Sequence, residues 1–182
     1  MGGWSKIARR IRVPLGFVLV VFYFCLAHPT WRALLLGLIG ILPGLLIRAL
    51  ASGHVRKNEV LATSGPYAYT RNPLYLGSLL IGIGFAIAAQ SWWIDGALAL
   101  MFFAIYVPVI RDEEAFLRQR FPEFDEYARR VPRIIPRITA EVSEKSAGFS
   151  WELYLKHREC NAAVGVVGMV AGLIAKMMVL GG

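Results

Sequence analysis

Ser64-Gly65-Pro66-Tyr67-Ala68-Tyr69-Thr70-Arg71-Asn72-Pro73-Leu74-Tyr75-Leu76-Gly77 lies between hydrophobic segments and holds most of the chain's unusual residue choices. It combines two prolines, two glycines, three tyrosines and an arginine directly before a long apolar run. Gly65-Pro66 reads as a turn, and Asn72-Pro73 reads as an N-cap followed by proline at the first helical position. A helix therefore starts at Pro73, with its unpaired backbone N–H groups and the positive end of its dipole turned towards the stretch.

Outward from this point the chain is too hydrophobic for an ordinary soluble domain. Of 182 residues 57% are apolar and only 18% charged, and the mean hydropathy is +0.54. An all-α integral membrane protein is expected. Five apolar stretches approach the about 20 residues that cross a bilayer core, at roughly 12–29, 31–51, 73–90, 91–110 and 160–180. Only Gln90-Ser91 separates the third from the fourth, so these two form a tight helical hairpin, with Trp92 and Trp93 at the interface. The expected organisation is residues 1–51 as two N-terminal spans, 52–137 as the functional core, and 138–182 as a linker with a final span.

Charge gives the expected orientation. Eighteen of the twenty Lys and Arg fall before or at the start of the first span, from the end of the second span to the third, or between the fourth and fifth. Five spans place those three segments on one side, which the excess of positive charge marks as cytoplasmic. The N-terminus and the opening stretch are then cytoplasmic and the C-terminus external. The net charge of +8 reads as a basic juxtamembrane surface for anionic lipid headgroups, not as a nucleic-acid site.

The first span resembles a signal peptide, but four further spans and the charge layout favour its retention. Cys25 and Cys160 have no paired or metal-like spacing and read as packing residues. Pro43-Gly44 either serves helix packing or kinks the second span. His54 has no obvious partner and reads as a loop residue.

Two segments carry candidate chemistry. Arg71 adds a planar, permanently charged donor fork to the helix start, suited to a carboxylate; alternatively it snorkels to lipid phosphates and the tyrosines form an interfacial belt. Gly77, Gly82 and Gly84 permit close approach of a helix or a ligand. The second segment, Arg111-Asp112-Glu113-Glu114, puts three acids in a row where a helix leaves the membrane, which demands water, cations or a ligand beside them. One glutamate can pair with Arg71 or Arg111 while the other faces a ligand, or Glu114 can pair locally with Arg118 at i, i+4. Pro122 then begins a short amphipathic helix with Phe124 and Tyr127 towards the membrane. Pro132 and Pro136 force an extended return path, and 137–159 is a polar linker.

Gly65-Pro66-Tyr67 with Arg71-Asn72-Pro73-Leu74-Tyr75-Leu76-Gly77, followed by Glu113-Glu114, Leu117, Phe121, Tyr127, Val131-Pro132 and Pro136, resembles the isoprenylcysteine carboxyl methyltransferase family. It also resembles the wider group that includes the phospholipid N-methyltransferases. The resemblance covers about 53–137. It departs at Asn72, where the prenylcysteine enzymes usually have histidine, and the fifth span lies outside the matching core.

The resemblance implies a membrane enzyme dependent on S-adenosylmethionine, with the cofactor at the cytoplasmic membrane edge and a lipophilic small-molecule acceptor arriving from the bilayer. It points to Tyr67, Arg71, Asn72, Pro73, Tyr75, Gly77, Glu113 and Glu114 as cofactor residues, with Arg71, Glu113 and Glu114 as catalytic candidates. Glu113 or Glu114 can hold the cofactor's ammonium, Arg71 and the helix start its carboxylate, and Tyr67 or Tyr75 its adenine or sulfonium. No metal site is expected. A carboxylate acceptor needs no base, whereas an amine acceptor must lose a proton. A related lipid reductase and a non-catalytic lipid-binding protein are the alternatives, the first without a dinucleotide fingerprint.

Overall fold

A computed structural model describes residues 3–56, 59–141, 148–157 and 159–180. Lys57, Lys145 and Arg158, which belong to the charge layout, lie outside the described residues. Helices α1 (Gly3–Leu26), α2 (Trp31–His54), α3 (Pro73–Ala89), α4 (Trp92–Met101), α5 (Val107–Arg120), α6 (Phe124–Arg130), α7 (Trp151–Lys156) and α8 (Cys160–Leu180) account for the regular structure. Among the described residues there are no strands.

Among the described residues three helical stretches are long and apolar enough to cross a membrane: Trp31–His54, Trp92–Arg120 and Cys160–Val179. The other two expected spans are shorter apolar helices, Pro14–Leu26 and Pro73–Ala89. Among the described residues the protein is thus all-helical, with three stretches able to span a membrane.

The α2–α3 seam is built on glycine. A Cβ on Gly37 would collide with the Gly84 carbonyl, and one on Gly44 would lie 2.7 Å from the Gly77 carbonyl. In lipid, helices associate through close packing of this kind because apolar burial gives no drive there. Helix α2 runs on through Pro43, which is exposed, while Gly44 belongs to this seam. Tyr23, Leu34, Ile41, Phe85, Ile94 and Leu173 form the shared core of α1, α2, α3, α4 and α8. Tyr23 Oη donates to the Phe85 carbonyl at 2.9 Å.

Two charges anchor α8. Glu159 takes Arg48 Nη2 at 2.8 and 2.9 Å, and Arg48 Nη1 donates to Ser78 Oγ at 2.5 Å. Lys176 Nζ donates to the Phe24 and Ala27 carbonyls at 2.6 and 2.8 Å, satisfying carbonyls that the end of α1 leaves open.

The α3–α4 turn is the expected short hairpin, with Gln90 in the left-handed region at φ 50°. From Trp92 the helix passes through a π turn, Phe102–Tyr106, into α5. Pro108 has no N–H for the Ala104 carbonyl and its ring crowds that group. The π turn, closed by Val107 N–H to the Phe102 carbonyl, absorbs the mismatch.

Several expectations change. Residues 137–159 include helix α7, N-capped by Ser150 Oγ. Cys25 and Cys160 are free and exposed instead of packed. His54 Nδ1 sits 2.7 Å from the Leu50 carbonyl, and its ring lies edge-on to Phe149.

Candidate functional site

The opening stretch folds as a 3₁₀ turn, Gly65–Ala68, with Gly65 at φ +58°, a conformation glycine adopts without a Cβ penalty. Asn72 occupies the N-cap position of α3, and its carbonyl accepts from Tyr75 N at 3.1 Å and Leu76 N at 3.0 Å. Its side chain does not cap, in contrast to the sequence reading. Pro73 offers no N–H, and the Tyr75 N–H is already taken by the Asn72 carbonyl. The amide instead donates from Nδ2 to Glu114 Oε1 at 2.9 Å and to the Arg133 carbonyl at 3.0 Å.

Glu114 is the centre of this cluster, 4% exposed. Arg133 donates to its Oε2 from Nε at 2.9 Å and approaches it with Nη2 at 2.8 Å. Arg71 Nε stands 3.7 Å from Oε1. A buried carboxylate needs compensation of this kind, because desolvating an unpaired charge is costly. The local pairing with Arg118 does not form, since Arg118 Nε donates to Asp125 at 2.6 Å.

The chain after α6 closes over the helix start as a strap, residues 131–141. Arg71 N–H donates to the Pro132 carbonyl at 2.9 Å, Arg137 N–H to Tyr69 at 3.0 Å, and Glu141 N–H to Ala68 at 3.0 Å. Thr70 Oγ1 donates to the Arg133 carbonyl at 3.1 Å. Two prolines impose the extended path, which lets strap groups pair with the backbone of 68–71.

Phe124 and Tyr127 pack inside the protein with Leu61, Phe121 and Val131, not towards the membrane, because α6 folds back under the helix start. Tyr127 Oη donates to the Tyr67 carbonyl at 2.7 Å. Burial pushes both phenols well above their usual range, so neither ionises near neutral pH. The Arg71 guanidinium lies 6.0 Å from the Phe124 ring centroid and that of Arg118 5.7 Å, within cation–π range.

A cavity of about 170 Å³ opens among these groups. Tyr67, Arg71, Asn72, Glu113 and Glu114 all line it. Arg71 Nε is buried with no hydrogen-bond acceptor among the described residues, since 3.7 Å exceeds hydrogen-bond reach. Glu113 has no ion-pair partner among the described residues. The cavity is thus lined by Arg71, whose guanidinium holds one buried, unsatisfied nitrogen, and by Glu113, a carboxylate outside any described pair.

The other candidates lie elsewhere. Pro73 is buried at the start of α3. Tyr75 packs edge-on against Tyr106, ring centroids 5.8 Å apart. Gly77 faces α2, where a Cβ would lie 2.6 Å from Arg48 Cγ and from the Gly44 carbonyl. Arg133 is hidden among many basic residues in the sequence, and only its position between Pro132 and Pro136 hints at a return to the site.

Tyr106 also lines a larger groove of about 760 Å³ between α3 and α4, with Ser78, Gly82, Ala86, Leu98 and Phe102 on its walls. Nothing lies within 4 Å of a Cβ built on Gly82, so this glycine borders the groove instead of a helix seam.

Comparison with known proteins adds the following. The chain is 35% identical over 164 residues to the cobalt-zinc-cadmium resistance protein CzcN of Cupriavidus metallidurans, covering 85% of this chain and 73% of that protein. It is 36% identical over 122 residues to the nickel-cobalt-cadmium resistance protein NccN of Alcaligenes xylosoxydans xylosoxydans, covering 64% and 57%. It is 30% identical over 83 residues to the protein-S-isoprenylcysteine O-methyltransferase of Schizosaccharomyces pombe, covering 45% and 35%. No solved structure matches. Among the described residues no group of three or more His, Cys, Asp or Glu could hold a metal ion. The phospholipid methyltransferase family matches residues 12–123, a span that takes in the helix start, the hairpin and both glutamates, and the chain belongs to that family.

Proposed function

We propose that the protein transfers a methyl group from S-adenosylmethionine to a lipophilic acceptor at the cytoplasmic membrane face. The observation that carries this reading is the cavity beside Glu114, lined by Arg71, whose guanidinium keeps an unsatisfied nitrogen, and by Glu113, one cationic and one anionic residue. That pair suits an α-amino acid end, with Arg71 holding a carboxylate and Glu113 an ammonium. At about 170 Å³ the cavity is smaller than pockets that bury a ligand whole, about 300 Å³ or more, so it fits one end of the cofactor.

S-adenosylmethionine supplies a methyl group on a sulfonium centre. Glu114 serves by position: held by Asn72 and Arg133, it fixes the helix start and the strap, and its lone pairs are engaged by those donors. Tyr67 and Tyr127 stay protonated and wall the cavity against water. Alignment and desolvation are the main contributions such a site makes to an in-line displacement.

The α3–α4 groove suits the acceptor's hydrocarbon chain, with Tyr75 and Tyr106 between it and the helix start. The acceptor group is a carboxylate or an amine; for an amine, Glu113 is the base candidate. The charge layout supports placing this site and the N-terminus on the cytoplasmic side and the C-terminus outside.

The test is a labelled-methyl assay on purified protein with native membrane lipids and prenylcysteine analogues, run beside calorimetry with S-adenosylhomocysteine. Label should pass to one lipid species, and base lability of the product separates an ester from an N-methyl amine. Absence of both binding and transfer would overturn the reading in favour of a non-catalytic lipid-binding protein.

A further inference from the structure

The strap has two sides of opposite character. One is bonded to Ala68, Tyr69, Arg71, Asn72 and Glu114, as described above. The other carries Ile135, 81% exposed, and Ile138, 99% exposed. Two isoleucines this open belong against an apolar phase. Their level in the molecule says which one. Arg133 and Arg137, which flank Ile135, bond to Asn72 and Tyr69, the residues just before Pro73, where the apolar helix α3 begins. Ile135 is therefore held at the height of the membrane boundary.

Charge indicates the lipid. Residues 129–141 contain four arginines against the single acid Glu141; Arg130 and Arg137 pair with Glu141, and Arg129 and Arg133 are left to face outward. The Arg133 side chain is 47% exposed while bonded to Glu114, and Arg129 is exposed. Apolar side chains set among arginines at an interface fit anionic headgroups.

We propose that strap 131–141 is an interfacial anchor whose Ile135 and Ile138 enter an anionic leaflet, with Arg129 and the exposed edge of Arg133 on lipid phosphates. The anchored strap stays closed over Asn72 and Glu114, so anionic lipid tightens the cofactor cavity. This last consequence rests on the methyl-donor reading above; the anchoring itself does not.

The test uses the full chain with Cys25→Ser, Cys160→Ser and a nitroxide on Ile138→Cys, in nanodiscs of phosphatidylcholine alone or mixed with phosphatidylglycerol. In mixed discs the label should become accessible to oxygen and protected from a water-soluble nickel chelate. A label equally exposed to the chelate in both discs would overturn the anchor, as would label–label broadening, which would mean that a second copy covers the patch. S-adenosylhomocysteine should bind about fivefold or more tighter in mixed discs, and Ile135→Ser/Ile138→Ser should remove the difference. Equal affinity in both discs beside an immersed label would overturn the coupling. Absence of binding in either disc would count against the methyl-donor reading, while the label still decides the anchor.

Discussion

Glu114 and Arg133 meet at 2.8 Å, a buried carboxylate against a guanidinium whose side chain is 47% exposed. Their environments predict unequal consequences of mutation. Glu114→Gln leaves Arg71, only 12% exposed, without its counter-charge, and should cost about 3 kcal/mol. Arg133→Ala leaves Glu114 with Arg71 and Asn72 and lets water in, and should cost about 1 kcal/mol. Thermal midpoints in detergent should fall in that order, with faster amide exchange at Arg71 and Arg137. Equal stability of Glu114→Gln and the parent would refute the central role given to Glu114.

Glu113 should behave in the opposite way. It has no ion pair among the described residues and lines the cavity, so Glu113→Gln should change stability by no more than about 0.5 kcal/mol. Loss of a hydrogen bond to a charged ligand group costs about 1.5–3 kcal/mol, so S-adenosylhomocysteine affinity should fall at least about tenfold. Full affinity in a folded Glu113→Gln protein would remove Glu113 from the site.

Glu141 gives the strap a pH dependence. The hydrogen bond from Arg137, then that from Arg130, holds its carboxyl below the ordinary value of 4.5. A carboxylate with a lowered folded pKa contributes stability above its unfolded pKa and loses it as pH falls through the folded value. Strap protection should therefore be constant from neutral pH to about 4.5 and decline below it. Hydrogen exchange at the Arg137 and Glu141 amides, corrected for intrinsic rates, should show that decline, and Glu141→Gln should show none.

The sequence made the apolar helices and the hairpin legible because apolar runs and a two-residue break are local signals, but it counted five spans where three helical stretches among the described residues are long and apolar enough to cross. It also marked Asn72-Pro73 as a helix start, since the cap position and the proline are adjacent. The amide's true partner was not readable, because Glu114 lies 42 residues away and its selection depends on how α3 and α5 meet. Arg133 looked like any juxtamembrane arginine. Gly77 is open to a helix or a ligand in the sequence, because glycine leaves the same mark in either case, and in the structure α2 approaches it. Phe124 and Tyr127 have the spacing of a membrane-facing stripe, and only the fold-back of α6 turns them inward.

That ambiguity of glycine yields a last prediction. On α3, Gly84 packs against the Gly37 carbonyl and Ile41, whereas Gly82 faces open space on the groove side. Gly84→Ala must push α2 and α3 apart and should cost about 1–3 kcal/mol, the usual range for overpacking. Gly82→Ala should be neutral in stability. A bulkier Gly82→Leu fills the groove without touching the seam. It should keep the parent's thermal midpoint and S-adenosylhomocysteine affinity while raising the KM for the lipid acceptor. If Gly82→Leu left acceptor kinetics unchanged, the groove between α3 and α4 would not be where the hydrocarbon chain lies.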